Sequence, residues 1–177
     1  MAIKPEHIDA IRHSLAHLLA AAVLKRFPKA KLGIGPTIEN GFYYDFEFTK
    51  PLAESDLPKI EKKMRELMKS WDTFEKHELS AADAKNEYPN NPFKAELIDE
   101  FSTEGQSLTL YTSGAFTDLC RGGHADGLAN IDPECFTLDG EGPIRCEPCR
   151  EEDAADAYRY NEADAAADEE WLEGKTK

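Results

Sequence analysis

The sequence predicts an α+β domain in which a long N-terminal helix carrying an HxxxH pair packs on a mainly antiparallel sheet. Three observations lead there. Residues 5 to 27 repeat apolar side chains at helical spacing. The β-prone runs that follow are separated by turn residues or short helical stretches. No βαβ unit recurs, so the strands are expected to pair through hairpins rather than parallel crossovers.

The first helix rests on Ile8, Ile11, Leu15, Leu18, Leu19, Ala22 and Val23, an apolar stripe expected on an amphipathic helix. Pro5 suits its first turn and Pro28 stops it. KLGIGP and FYYDFEF then flank Glu39-Asn40-Gly41, and Asn-Gly between β-prone runs signals a hairpin. Residues 55 to 70 read as a second helix, with Ser55 as cap and Ile60, Met64, Leu67 and Met68 as its buried stripe. Its other face carries Lys59, Lys62, Lys63, Arg65 and Lys69, either a solvated face or a local patch for an RNA backbone. A strand over 73–79, a short helix capped by Ser80 and a helix over 93–101 follow. SLTLY, residues 107–111, reads as an alternating strand, and 115–119 as a further strand running into the glycine-rich CRGGHADG.

The chain has 177 residues, 41% of them hydrophobic, enough for one core without staples. Residues 1–140 are expected to form the domain. Residues 141–177 change character: they hold 12 acidic and 5 basic residues, half of the net charge of −14, and few large apolar ones. That charge argues against a protein that grips nucleic acid unaided, since phosphate contacts supply most of such affinity. RNA delivered by a partner or fused domain stays compatible with it. No run approaches the ~20 apolar residues of a membrane span, and the charged, helical N-terminus reads as no secretion signal, so a cytoplasmic location is expected. Cys120, Cys135, Cys146 and Cys149 are then expected to be reduced thiols, ligands or a reactive group. Cys146 and Cys149 form a single CxxC, a weak redox or zinc signal against two incidental thiols.

The chemistry-bearing residues come as two pairs. His13 and His17 are one helical turn apart and project from the same side. Cys120 and His124 repeat the spacing inside a loop of small residues, poor material for core packing. Three imidazoles and a thiol admit two readings: a tetrahedral zinc site, or a metal-free site in which imidazoles orient and deprotonate a water. Spacing does not choose between them.

IRHSLAHLLAAAV, KLGIGPTIENGFYYDF and DLCRGGH, in that order, resemble the second N-terminal domain of bacterial-type threonyl-tRNA synthetases, the editing domain, over residues 7 to about 138. That family is related to alanyl-tRNA editing domains. The resemblance implies hydrolysis of mischarged seryl-tRNA(Thr) at the ester on the terminal ribose, with threonyl-tRNA spared. One methyl gives a pocket only ~1–3 kcal/mol of discrimination, which is why a second sieve exists.

By the same resemblance, His13, His17, Cys120, His124 and Lys94 are the catalytic set, with Lys94 near the terminal adenosine or the attacking water. Tyr44 would line the pocket and Asp118 would hold the seryl amino group, with Arg121, Gly35 and Asn40 completing the substrate-binding set. No cofactor is implied, zinc on the tetrad being the alternative. The implied partners are the acceptor 3′ end of tRNA(Thr) and the synthetase core or other domains of a longer chain. Two other functions compete: a zinc-dependent deacylase like the alanyl-tRNA editors, and a non-catalytic tRNA-binding fragment.

Two departures bear on this. Gly123 stands where the family has proline before the histidine. After Leu138 the family's aromatic, glycine-containing strand and basic segment give way to GEGPIRCEPCREEDAADAYRY; if that strand is missing, the sheet beneath the site is incomplete.

Overall fold

The computed structural model describes residues 5–38, 41–105, 107–138 and 144–145. Asn40, Cys146, Cys149 and nearly all of the acidic segment 141–177 lie outside the described residues. What is described is an α+β fold with small antiparallel sheets.

Helix α1, Pro5–Arg26, is the spine. The expected amphipathic stripe is corrected: from Ala10 to Val23 every residue except His13 is buried. A helix covered on all sides needs small residues to let neighbours approach, and Ala16, Ala20, Ala21 and Ala22 provide them. The turn after it is tied by an Arg26–Asp56 ion pair of 2.6 Å.

The hairpin is nested. β1, Lys31–Leu32, pairs with β4, Phe46–Glu47, and inside it β2, Thr37–Ile38, pairs with β3, Gly41–Phe42. Its aromatic side chains form a ladder, with ring centroids 5.0 Å apart for Tyr44–Phe46 and 5.4 Å for Phe46–Phe48.

Helix α2, Leu57–Met68, begins later than expected. Ser55 does not cap it, because Glu54–Asp56 form a 3-10 turn first and Pro58 takes the opening turn, where its missing N–H costs nothing. Ile60, Met64 and Met68 are buried beside Trp71 against α1, while Leu67 is only partly buried. On the cationic face, Lys59 pairs with Asp56, Lys63 with Glu66, and Arg65 with Glu61 and Glu134. Arg65 also donates to the carbonyls of Pro133 at 2.8 Å and Phe136 at 3.1 Å, fastening that segment to α2.

A separate sheet has the order β5-β6-β7, all antiparallel: Glu75–Leu79, Leu108–Ser113 and Phe116–Leu119. The expected alternation of β6 is corrected too, since Leu108 through Tyr111 are all buried. It is the central strand, covered on both faces. Helices α3, Ala81–Glu87, and α4, Pro92–Thr103, close a smaller core on one side through Ala84, Ile98, Leu108, Leu110 and Leu119. Ser80 caps α3 as expected, accepting from the Asp83 amide, and Asn91 caps α4. Phe116 faces the larger core around α1.

Beyond Leu138 one two-residue strand is described. β8, Ile144–Arg145, pairs antiparallel with β3 and widens the hairpin sheet. Among the described residues no helix is long and apolar enough to cross a membrane.

Candidate active site

The site forms where α1 meets the loop after β7. In a strand, alternate residues share a face, so Phe116, Asp118 and Cys120 follow one another along one face of β7 and its extension. The Cys120 amide keeps the ladder for one more step, donating to the Thr109 carbonyl at 3.2 Å. The chain then turns back through Gly122 and Gly123, with φ of 101° and 78°. Those are left-handed conformations that favour glycine. A Cβ on Gly122 would strike the Tyr111 hydroxyl as well. Proline, locked near −65°, has no access to the φ of Gly123, so this loop is shaped differently from one with proline there.

The turn delivers His124 onto α1. The donor atoms of His13, His17, Cys120 and His124 all lie within 4.8 Å of one another. Cys120 Sγ is 3.2 Å from His124 Nε2. The His13 and His124 rings stack at 4.2 Å, while His17 stands edge-on to both, at 5.0 and 4.4 Å. His17 and His124 are buried; His13 and Cys120 are half-buried and form the accessible side of the cluster.

Burial sets the protonation of these rings. It lowers His13 to about 4, against partial compensation by backbone hydrogen bonds with Gly122 and Gly123 and by Asp118. It lowers His17 to about 3, with His13 and Lys94 pushing the same way. His124 is held well below the ordinary imidazole range by burial and by the other two rings. Three neutral imidazoles at neutral pH are proton acceptors or metal donors, not cations.

Beside them is a buried polar group. Lys94 Nζ lies 2.7 Å from Asp118, with 1% and 2% of the two side chains exposed. Lys94 also reaches the Tyr44 hydroxyl at 3.2 Å, and Tyr44 donates to Asp118 Oδ2. Tyr88 donates to Asp118 Oδ1 at 3.3 Å, and the Leu119 amide at 2.9 Å. Burial by itself would raise the Asp118 carboxyl. The ammonium of Lys94, His17 and the hydrogen bonds from Lys94 and Tyr44 outweigh it, leaving the group below the usual carboxylate range. Burial and the negative charge of Asp118 together push the Tyr44 and Tyr88 phenols up, so both keep their protons.

The residues expected from sequence are thus brought together unevenly. The tetrad is one cluster, and Tyr44, Lys94 and Asp118 form a second that is electrostatically coupled to it. Gly35 lies under the Tyr44 ring, where any Cβ would overlap the ring carbons. The Arg121 guanidinium lies 4.3 Å from the Phe101 ring and 3.4 Å from Glu104, at the far end of α4. Three residues escaped the sequence reading. Ser14 approaches His124 Nδ1 at 3.2 Å, Phe74 stacks on the His124 ring at 4.3 Å, and Tyr88 completes the Asp118 shell. Ser14 had a visible signal, a hydroxyl inside HSLAH next to a candidate histidine; Phe74 and Tyr88 had none. A separate cleft of about 460 Å³, between the hairpin and α4, is lined by Ile34, Phe46, Phe93, Leu97 and carboxylates, and no tetrad residue lines it.

No protein-family model matches the chain. Among curated proteins, it is 46% identical over 135 residues to a threonine--tRNA ligase of Treponema pallidum, which is 76% of this chain and 23% of that protein. The threonine--tRNA ligase of Borrelia garinii is 45% identical over 129 residues, 73% of this chain and 22% of its own length. That of Borreliella burgdorferi is 45% identical over 127 residues. About three quarters of this chain is therefore homologous to a segment making up less than a quarter of each of these threonine--tRNA ligases.

Proposed function

We propose that this domain is an aminoacyl-tRNA deacylase that hydrolyses the ester of seryl-tRNA(Thr) and spares threonyl-tRNA(Thr). One observation carries the reading. Three neutral imidazoles and a thiol converge within 4.8 Å beside a buried Lys94–Asp118–Tyr44 group, in a chain homologous to threonine--tRNA ligases.

In the reaction, a water oxygen bonds to the ester carbonyl carbon, the carbon–oxygen bond to the ribose breaks, and the departing oxygen takes a proton to become a hydroxyl. His13 is the group that accepts the water proton and returns it, because it is neutral and on the accessible side of the cluster. Lys94 is less suited: it is buried and engaged by Asp118 and Tyr44, so it holds charge in place. His17, Cys120 and His124 orient the water and the ester. Asp118 accepts from Lys94, Tyr88 and the Leu119 amide at Oδ1 and from Tyr44 at Oδ2, so the remaining acceptor capacity lies on Oδ2. A seryl ammonium therefore binds at Oδ2, beside the Tyr44 hydroxyl. Discrimination against threonine, with one methyl more, rests on steric exclusion rather than on lost attraction.

A second reading has its own support. Tetrahedral zinc, with bonds of about 2.0–2.1 Å to nitrogen and 2.3 Å to sulfur, sets ligand atoms roughly 3.3–3.6 Å apart. The donor set of three nitrogens and one sulfur fits that chemistry once its widest separation, at most 4.8 Å, closes by about 1 Å. His13, His17, Cys120 and His124 would hold the ion, which would supply Lewis acidity to a bound water. Four protein ligands make a closed site, so such a role also requires one of them to give way.

The deciding experiment incubates the protein with seryl-tRNA(Thr) and threonyl-tRNA(Thr), with and without chelator, and measures metal content by mass spectrometry. Selective loss of the seryl ester that survives chelation and vanishes in His13→Ala supports the metal-free deacylase. Loss abolished by chelator transfers the case to zinc. An intact seryl ester at high protein concentration overturns both.

A further inference from the structure

The hydroxyl of Ser14 has no exposed surface. It sits among three polar atoms: the Ala10 carbonyl at 2.8 Å, the Ala125 amide at 3.0 Å and His124 Nδ1 at 3.2 Å. A hydroxyl has one proton and two lone pairs. The carbonyl can only accept and the amide can only donate. All four groups are satisfied together in one arrangement: Ser14 donates to Ala10, and accepts from the Ala125 amide and from a proton on His124 Nδ1. Any other arrangement sets Nδ1 as a bare acceptor and leaves the Ser14 and Ala10 oxygens 2.8 Å apart with no proton between them. Two oxygens at 2.8 Å are at hydrogen-bond distance and repel without a shared proton, so the arrangement with the Ser14 proton on Ala10 is the ground state.

We propose that Ser14 is a positioning residue that fixes His124 as the Nδ1–H tautomer and so presents the bare Nε2 lone pair to the centre of the tetrad. Nε2 faces Cys120 Sγ at 3.2 Å. The thiol proton then points at His124, and the ring cannot flip without breaking the Ser14 contact. The plane of the ring is set separately, by Phe74 on one side, at 4.3 Å and 6°, and His13, at 4.2 Å. Stacking leaves rotation within that plane open, and Ser14 closes it. The same hydroxyl anchors residues 124 and 125 to α1, so a single atom joins two segments separated by 110 residues. The tautomer assignment is independent of any substrate. Its consequence for hydrolysis rests on the deacylase reading.

The test uses the protein labelled with nitrogen-15 at histidine and two-bond proton–nitrogen correlation spectra at neutral pH, where the two tautomers give different patterns. The native protein is expected to show His124 protonated on Nδ1, and Ser14→Ala to show a mixture or the other tautomer while remaining folded by amide dispersion. Ser14→Cys keeps the volume with a weaker acceptor, and serves if Ser14→Ala unfolds; it shifts the tautomers in the same direction. In a seryl-tRNA(Thr) assay Ser14→Ala is expected to lower kcat roughly 10- to 100-fold, the usual size for loss of a partner that orients an active imidazole, with KM little changed. An Nε2-protonated His124 in the native protein overturns the proposal, as does a folded variant that keeps the native tautomer. If no variant, nor the native protein, cleaves the ester, the functional reading fails and the tautomer result stands.

Discussion

The imidazole of His124 lies parallel to the Phe74 ring, 4.3 Å between centroids and 6° between planes. Phe74 precedes β5 and is fifty residues away in sequence, yet it forms one wall of the cluster. Phe74→Leu keeps the apolar contact and removes the aromatic stack, worth about 0.5–1.5 kcal/mol. Urea unfolding is expected to show a loss of that size, and the His124 ring signals are expected to broaden. An unchanged His124 spectrum in the variant rejects Phe74 as the support of the ring.

The Lys94–Asp118 pair is almost fully enclosed. Removing one partner leaves the other charged and buried, at a cost of about 3–5 kcal/mol. Lys94→Met is expected to destabilise by that amount, and Asp118→Leu nearly as much. Lys94→Met combined with Asp118→Leu is expected to be much closer to the native protein than the sum of the two single changes. Additive losses in a double-mutant cycle show that the charges do not interact.

Neutral burial of the histidines makes stability fall with acid. Each ring has a lower pKa folded than unfolded, about 4 for His13 and about 3 for His17, against about 6.5 in the unfolded chain. The unfolded state therefore binds more protons below about pH 6.5, and stability drops as pH falls from there towards those lower values. Each ring contributes a slope of up to about 1.4 kcal/mol per pH unit. Asp118, depressed in the fold, adds a loss at lower pH, beginning near the unfolded carboxylate value of about 4. Urea midpoints from pH 7.5 to 5 measure the slope. His17→Gln is expected to reduce it by one proton, and an unreduced slope shows that His17 is protonated in the folded protein.

The positive φ of Gly123, 78°, sets the loop that carries His124. A side chain there costs about 1–2 kcal/mol, so Gly123→Ala is expected to lose that much in a thermal or urea melt. Gly123→Pro is expected to be worse, since the ring holds φ near −65°. It should also separate Cys120 from His124 and abolish hydrolysis. A fully stable, active Gly123→Pro protein means that the loop has the other shape in solution.

The sequence by itself determined the pairs and the element types. An i, i+4 spacing on a helix puts His13 and His17 on one side, and turn residues mark where strands reverse, because both follow from backbone geometry within a few residues. The blocks around Tyr44, Lys94 and Asp118 proposed further site residues only through the family resemblance, and the structure places these three beside one another. Only the tertiary structure decided what surrounds them. Whether α1 is half-covered or enclosed depends on the hairpin, α2 and the loop after β7 closing over it, and spacing carries no record of that. The burial that lowers three imidazoles and locks Lys94 to Asp118 is likewise a property of the assembled core. So too is the meeting of His124 with Ser14 and Phe74, set by packing between segments far apart in the chain. The two i, i+4 pairs that spacing could only list separately become one cluster because Gly122 and Gly123 turn the second pair onto the first.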